Sequence, residues 1–508
     1  MSQPSMNQKY VPIRIASHLF AGFLGILCAA GSAAKAQQAP DESLASKVQK
    51  LTEAMSQTQK RLDESQREME QMRAQLAVLQ QQMAQGHDAE GPSSSTAQLA
   101  AAVDQIREQQ SLEETQIATH EQAKVESESK YLLKLSGLVL LTGFVNTTQM
   151  DDPVSPTLAL EGAGATGASL RQTVLGIDAQ GPHLFNARTH ADVRVDFAGA
   201  SLASGTAYSN AGGLLRLRTA HASLAWDHAE AFFSLDHAIV APNSPTSLTA
   251  VSVPALSWSG NLWTWNPQLG ITKDFPASAS QRLRLQAALI DVINPPQIYG
   301  AASTGIAQPT TAEMSRWPGA EGRVALLGGR DDTGLQIGFG GLFVPHSTVG
   351  GTRFNSWAGT FDYRIPLPGR AEFSGNAYAG QALGGLGGGA YKDYVYRLNP
   401  LSPVGYSFRT LHDFGGWAQF KERANEHLEF NLAFGTDQVP AAQLRPYAGN
   451  QVSYYLNLAR NRTYTGNVIY RPSAYLLFSL EYRHLQSSPV NYYTATGDII
   501  GIATGYRF

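Results

Sequence analysis

Two short runs, LRLR at 215–218 and RLRL at 282–285, set arginines two residues apart with leucines between them. On an extended chain that spacing puts Arg216 with Arg218, and Arg282 with Arg284, on the face opposite the leucines. A third run, ARTHADVRVDF, sets Arg188, His190, Asp192, Arg194 and Asp196 opposite Thr189, Ala191, Val193, Val195 and Phe197. A guanidinium is always charged and carries a planar fork of donors matched to carboxylates and phosphates. Rows of it can serve two ends. Facing a confined aqueous path they lower the barrier to anions. Facing Asp192, Asp196 and their neighbours they brace a wall and select nothing. Residue types alone leave both open.

Other chemistry finds little support. The sequence has no Gly-x-Ser-x-Gly elbow, no HExxH and no Walker-type lysine–serine pair. The run GGLGGG at 384–389 resembles a phosphate cradle, but Lys392 follows at the wrong spacing, and a mobile external loop is expected. His190, His228 and His237 are scattered, with no i, i+4 pairing on alternating segments, so neither a metal nor a cofactor is expected. The formal net charge of −3 calls for no nucleic acid and no anionic surface as partner. A hydrolase with Ser and His on separate strands would escape motif reading and stays open as a third alternative.

The elements that carry these residues are strands. From Tyr131 onward, segments alternate with period two between Gly, Pro, Asn or Asp breaks. In HLEFNLAF, Leu428, Phe430, Leu432 and Phe434 oppose His427, Glu429 and Asn431. In YLLFSLEYRH, Leu476, Phe478, Leu480 and Tyr482 oppose Ser479, Glu481 and Arg483. The chain ends IIGIATGYRF, with Ile500, Ile502, Thr504, Tyr506 and Phe508 on one face. About sixteen strands are expected, the first at 133–148, the second at 169–180 and the last at 497–508. Connections after even strands are short, such as QGPH, WDHA and PASAS; those after odd strands are long, such as 241–260, 293–316 and 381–408. A sandwich has no reason to sort loops by parity. An up-and-down barrel in an outer membrane does, because its turns and loops lie on opposite sides. Lipid satisfies no backbone hydrogen bond, so the last strand must pair with the first, and the larger side chains face hydrocarbon. The fold class expected is an all-β transmembrane barrel behind an α-helical coiled coil. Tyr506 and Phe508 would then join the aromatic girdle at one interface.

The coiled coil is read at the N-terminus. Residues 1–36 have the basic, apolar and small-residue regions of a signal peptide. Its removal takes away Cys28, the one cysteine, and leaves no disulfide or thiolate metal site. Segment 37–85 holds a 4-3 seam running from Leu44 through Leu51, Leu62 and Leu76 to Met83, a helix of roughly 65 Å. Residues 86–96 form a linker, 97–130 a second helical segment, and 131–508 the barrel. Mean hydropathy is −0.20, and no run past residue 37 is long and apolar enough for a spanning helix.

GNAYAGQALGGLGGG (375–389), SGNLWTWNPQLGI (259–271) and RWPGAEGRVAL (316–326) together resemble the DcaP-like porins. That resemblance implies a trimeric outer-membrane channel with a periplasmic coiled coil, in a Gram-negative bacterium, favouring small anionic solutes. It also implies an inward-folded third loop, here 241–260, and recognition of the C-terminal Phe508 by the outer-membrane assembly machinery. Lysines after residue 130 are only Lys134, Lys273, Lys392 and Lys421, so the lysine-rich pore of phosphate-selective porins is not evident. The leading expectation is a passive, homotrimeric porin contacting outer-membrane lipid, not an enzyme. The alternative is a tether that uses the barrel as anchor and the coiled coil to reach the cell wall.

Overall fold

The computed structural model describes residues 132–199, 214–296, 308–329, 334–402, 405–448 and 454–508. The signal peptide, both helical segments and the linker lie outside the described residues. The wall begins with β1 (Leu133–Met150), β2 (Ala159–Ser169), β3 (Val174–Gln180), β4 (Arg188–Gly199) and β5 (Leu214–Trp226). It continues through β6 (Ala229–His237), β7 (Trp265–Pro276), β8 (Gln281–Ile290) and β9 (Gly319–Gly328). Next come β10 (Leu335–Ser347), β11 (Arg353–Pro366) and β12 (Ala371–Gln381). A loop hairpin, β13 (Tyr394–Leu398) with β14 (Tyr406–Thr410), interrupts the wall. The wall closes with β15 (His412–Arg423), β16 (Leu428–Gln438), β17 (Leu458–Tyr470), β18 (Leu476–Pro489) and β19 (Ala495–Arg507).

Neighbouring staves pair antiparallel all the way round, and β19 returns to β1 with Ile500 opposite Val145 and Tyr506 opposite Val139. β2 and β3 both pair with β1, one above the other, so the 17-stranded sheet is a closed barrel of sixteen staves. The second stave starts earlier than the alternation from 169 suggests, and it breaks at 170–173. That break matters below. Closure is completed by Gly137 and Phe508, which exchange backbone hydrogen bonds of 3.0 and 3.1 Å. A Cβ on Gly137 would fall 2.4 Å from the Phe508 ring, so the glycine makes room for the terminal aromatic.

Alternation sets the two faces as the residues demand. Leu432 is 64% exposed, whereas its neighbours Glu429 and Asn431 are buried. Leu480, Ile500, Ile502, Tyr506 and Phe508 are exposed outward; Ser479, Glu481 and Arg483 are buried. Large apolar groups outside and polar groups inside invert the order of a water-soluble domain, and only a hydrocarbon surround makes that arrangement stable. Leu432→Arg is therefore expected to destabilise the barrel by about 2–4 kcal/mol if Leu432 lies near the bilayer midplane. Equilibrium unfolding in guanidinium with lipid vesicles measures it, and a change near zero would place Leu432 outside the hydrocarbon. The short/long sorting of connections fails at β10–β11 and at β18–β19, whose turns span only 348–352 and 490–494.

Candidate functional site in the lumen

The chain between β6 and β7, residues 238–264, folds into the barrel and follows its inner wall, as the expected third loop at 241–260 does. Near its start Val240 donates to Glu321 on β9 and accepts from Thr360 on β11. Asn243 Oδ1 accepts from Arg364, and Thr246 N–H donates to Gln419 of β15 at 2.7 Å. Glu481 on β18 takes hydrogen bonds from both Ser247 and Thr249 hydroxyls. Gln172 sits in the break between β2 and β3, fully buried, and clamps the loop from both amide atoms. Its Nε2 donates to Thr249 O at 2.8 Å, and its Oε1 accepts from Val251 N–H at 2.6 Å. The loop then returns past Arg216, which donates to Ser252 O, and ends near Asn461 and Thr463 of β17. Polar loop backbone can cross the lumen because the wall supplies a partner at each step.

A second loop enters from the β12 end, and it departs from expectation. The glycine run 384–389 is no mobile external segment. Gly384–Leu386 and Gly389–Tyr391 are buried 3-10 turns. Their amides, which a phosphate cradle would offer to a ligand, go to carboxylates of the protein itself. Gly384 donates to Asp393, Gly389 to Asp413 and Ala390 to Asp437. Gly387, at φ 100°, lies so close to Trp263 that a Cβ would come within 2.6 Å of the indole. Tyr391 stacks on Trp258 of the first loop at 4.4 Å. Lys392 is fully buried, its Nζ donating to the carbonyls of Ala390, Tyr455 and Leu458 at 2.9, 2.9 and 2.7 Å. Burial pushes this amine down to about 7, against the pull of Asp437 and Asp413.

The arginine rows face inward, with Leu215, Leu217, Leu283 and Leu285 exposed on the other side. Most of the arginines are neutralised there. Arg216 forks onto buried Asp196 at 3.0 and 2.6 Å. Arg282 and Arg284 share Asp274, at 3.1 and 2.8 Å. Arg194 binds Asp178 at 2.6 Å and lies 3.7 Å from Asp192, which in turn is 3.9 Å from His190. Asp178, His190 and Asp192 bring their ligand atoms within 4.8 Å of one another, but Arg194 supplies the cation beside them. Arg188 stands exposed at the start of β4. Bracing thus describes Arg194, Arg216, Arg282 and Arg284 well.

Arg218 differs. The β4–β5 ladder slips between Arg194 and Val195: Thr219 faces Arg194 and Leu217 faces Val195, leaving Arg218 as a bulged residue. A bulge re-aims a side chain. The Arg218 guanidinium lies 5.1 Å from the centre of the Trp265 ring, beside Arg216 at 5.2 Å from the same ring. Arg218 lines a cavity of about 670 Å³ formed mostly by wall strands, with Val251 of the first loop and Ala474 and Tyr475 of the turn before β18. Lys134, Arg194, His237, Trp265 and Arg507 also line this cavity, and no acidic side chain does. Residue-type reading missed Lys134, Arg507 and Trp265 because their strands lie far apart in sequence and meet only on closure.

Against known proteins, no family model and no curated protein matches the chain. Solved structures do. The outer membrane channel DcaP of Acinetobacter baumannii superposes with a TM-score of 0.54 at 15% identity, over 75% of this chain and 99% of that one. The fold resembles that of the DcaP channel. The likeness first seen in three short motifs is therefore borne out in the barrel. Looser superpositions include an anion-selective porin from Comamonas acidovorans (TM-score 0.46, 10% identity, 75% of this chain and 100% of that one). Pseudomonas putida OprB follows at 0.44 and 9% identity, over 74% of this chain and 94% of its own.

Proposed function

We propose that the chain is a passive porin of a Gram-negative outer membrane, passing small hydrophilic solutes with a preference for anions. The observation that carries the reading is the closed barrel whose inward loop leaves a cavity lined by basic side chains and no acidic one. Likeness of the fold to an outer membrane channel supports the passage, and Arg218, whose Nη1 has no hydrogen-bond partner among the described residues, supports its sign. A fixed cation near a narrow path interacts with a passing charge by about 4 kcal/mol at 4 Å for an effective dielectric of 20, before desolvation is subtracted. A fraction of that biases the traffic.

The same reading takes the chain as a homotrimer braced by the 37–85 coiled coil in the periplasm, surrounded by outer-membrane lipid. In this reading Phe508, which is exposed at the closing seam, is the residue that the assembly machinery would recognise. Planar-bilayer recording of the purified protein under a KCl gradient tests the reading. Stepwise conductance with a reversal potential on the anion side, larger at low ionic strength where screening is weak, is the expected result. Absence of steps would leave the barrel as an anchor and favour the tethering alternative.

A further inference from the structure

We propose that a basic cleft on the outward face of the wall, at its long-loop end, binds the phosphate of an outer-leaflet lipid headgroup. The proposal rests on the outer-membrane reading above and concerns the face that this reading turns away from the lumen.

The cleft has a volume of about 510 Å³ and lies where β11, β12 and β15 meet the β13–β14 hairpin. Arg353, Asn355, Gln381, Arg409, Thr410 and His412 supply its polar lining, and no acidic side chain does. Arg353, Asn355 and His412 are exposed and alternate with the buried Phe354, Ser356 and Asp413, so they point away from the lumen. Arg216 and Arg284 inside the barrel have their carboxylates, whereas Arg353 and Arg409 have no ion-pair partner among the described residues. Each of these two guanidiniums presents a planar fork matched to phosphate oxygens. The amides, the imidazole and the hydroxyl offer further donors around them.

Height on the wall identifies the source of the phosphate. Strand register sets Phe343, Trp357, Gln381 and His412 in one row across β10, β11, β12 and β15. The next outward row toward the short turns is Gly341, Gly359, Ala379 and Phe414, followed by Phe339, Phe361 and Ala377. Toward the long loops the outward positions of β11 become Asn355 and then Arg353. The outer face thus changes from apolar to basic across a single row, with Phe343 and Trp357 exposed at the boundary. Aromatic side chains mark the level at which hydrocarbon gives way to headgroups. Basic groups just beyond that level meet the anionic headgroups of the leaflet itself.

The two arginines are also held in place before a ligand arrives. Phe354, the chain neighbour of Arg353, packs on Tyr394 and Phe408 of the hairpin at 5.2 and 5.7 Å between ring centres. The Tyr406 hydroxyl bonds the side chain of Thr352, and Gln381 Nε2 donates to Asn355 O at 3.0 Å. The hairpin that carries Arg409 is therefore fixed to the strand that carries Arg353. A preformed pair of forks spares a ligand most of the ordering cost.

The test is native mass spectrometry of the full chain, released from detergent after titration with three probes. These are diphosphorylated lipid A, the same lipid stripped of its phosphates, and inorganic phosphate. The expected result is a saturable adduct with the phosphorylated lipid alone. Arg353→Gln combined with Arg409→Gln should raise the half-saturating lipid concentration by about tenfold or more, through lost charge-assisted hydrogen bonds. His412→Gln should raise it less. Arg370→Gln, an exposed arginine in the short turn before β12, should leave it unchanged. Equal binding of the stripped lipid would overturn the proposal, because apolar contact alone would then hold it. Equal losses in all variants would overturn it too, as would inorganic phosphate that binds while lipid A does not. If the double variant loses the oligomer band in semi-native gels but keeps the lipid, the cleft is a contact between copies of the chain and the proposal falls. Heat-modifiable migration confirms that each variant has folded; if the double variant fails there, His412→Gln carries the decision. No arm reads conductance, so a chain that binds the lipid and never conducts keeps this proposal and overturns the porin reading alone.

Discussion

Replacing residues 242–259 by a short Gly-Ser linker is expected to raise single-channel conductance several-fold and to abolish most of the ion preference. The loop fills the lumen that a sixteen-strand wall would otherwise leave as an aqueous channel. It is held by polar contacts and not by the strand ladder: Gln172, Gln419, Glu481, Asn461 and Thr463 each reach it from the wall. Once the loop is gone, water replaces those partners, and strand pairing from β1 round to β19 stays complete. The variant should therefore still insert and migrate as a folded barrel. Its selectivity falls because the solute then passes Arg218 in bulk-like water, where the interaction of two charges at 4 Å shrinks to about 1 kcal/mol. Bilayer recording with a salt gradient reads both effects. Unchanged conductance would mean that the path does not run beside this loop.

Lys392→Met should release the glycine-rich loop from the lumen while the wall stands. The ammonium satisfies three carbonyls at once, one on the segment that leads into β17 and one on the first residue of that strand. Its charge also acts on the carboxylates that accept the Gly389 and Ala390 amides, Asp413 and Asp437. Methionine fits the volume but offers no donor, so three buried carbonyls lose their partner and two carboxylates lose their compensation. Removing one side of such a buried arrangement costs on the order of 3–5 kcal/mol. That cost falls on the loop, because the strands that carry Asp413 and Asp437 are paired along their whole length. Chymotrypsin is expected to cut after Tyr391 in the variant and to spare it in the parent, where Tyr391 is 1% exposed. Protection of Tyr391 in both would show that the Trp258 stack and the glycine amides hold the loop without the lysine.

Much of the wall was legible in the residues. HLEFNLAF and YLLFSLEYRH assign their faces correctly because the pleat is local: a side chain's face follows from its neighbours, whatever the strand later pairs with. The leucines between the arginines at 215–218 and 282–285 settle the direction of those rows for the same reason. Stave number followed too, since turn residues punctuate each strand and lipid forbids an open edge. The second stave was harder. Its break at 170–173 has no marker in the alternation, and its purpose, to aim Gln172 at Thr249 and Val251, appears only when the loop lies across it.

The arginines show where residue pattern stops. Asp178, Asp196 and Asp274 neutralise Arg194, Arg216, Arg282 and Arg284 from neighbouring strands, and inter-strand register decides those pairings. Register is a property of two strands, so a one-residue slip, such as the bulge at Arg218, leaves no trace in the LRLR run itself. The glycine run was misjudged on similar grounds: Gly and Leu suggest mobility, but Asp413 and Asp437 bring acceptors from distant strands and bury it. Residue types alone therefore set what faces oil and what faces water, since transfer energy belongs to each side chain. Tertiary structure decided which inward charges are spent on one another and which remain for a solute, because a Coulomb interaction belongs to a pair and to its distance.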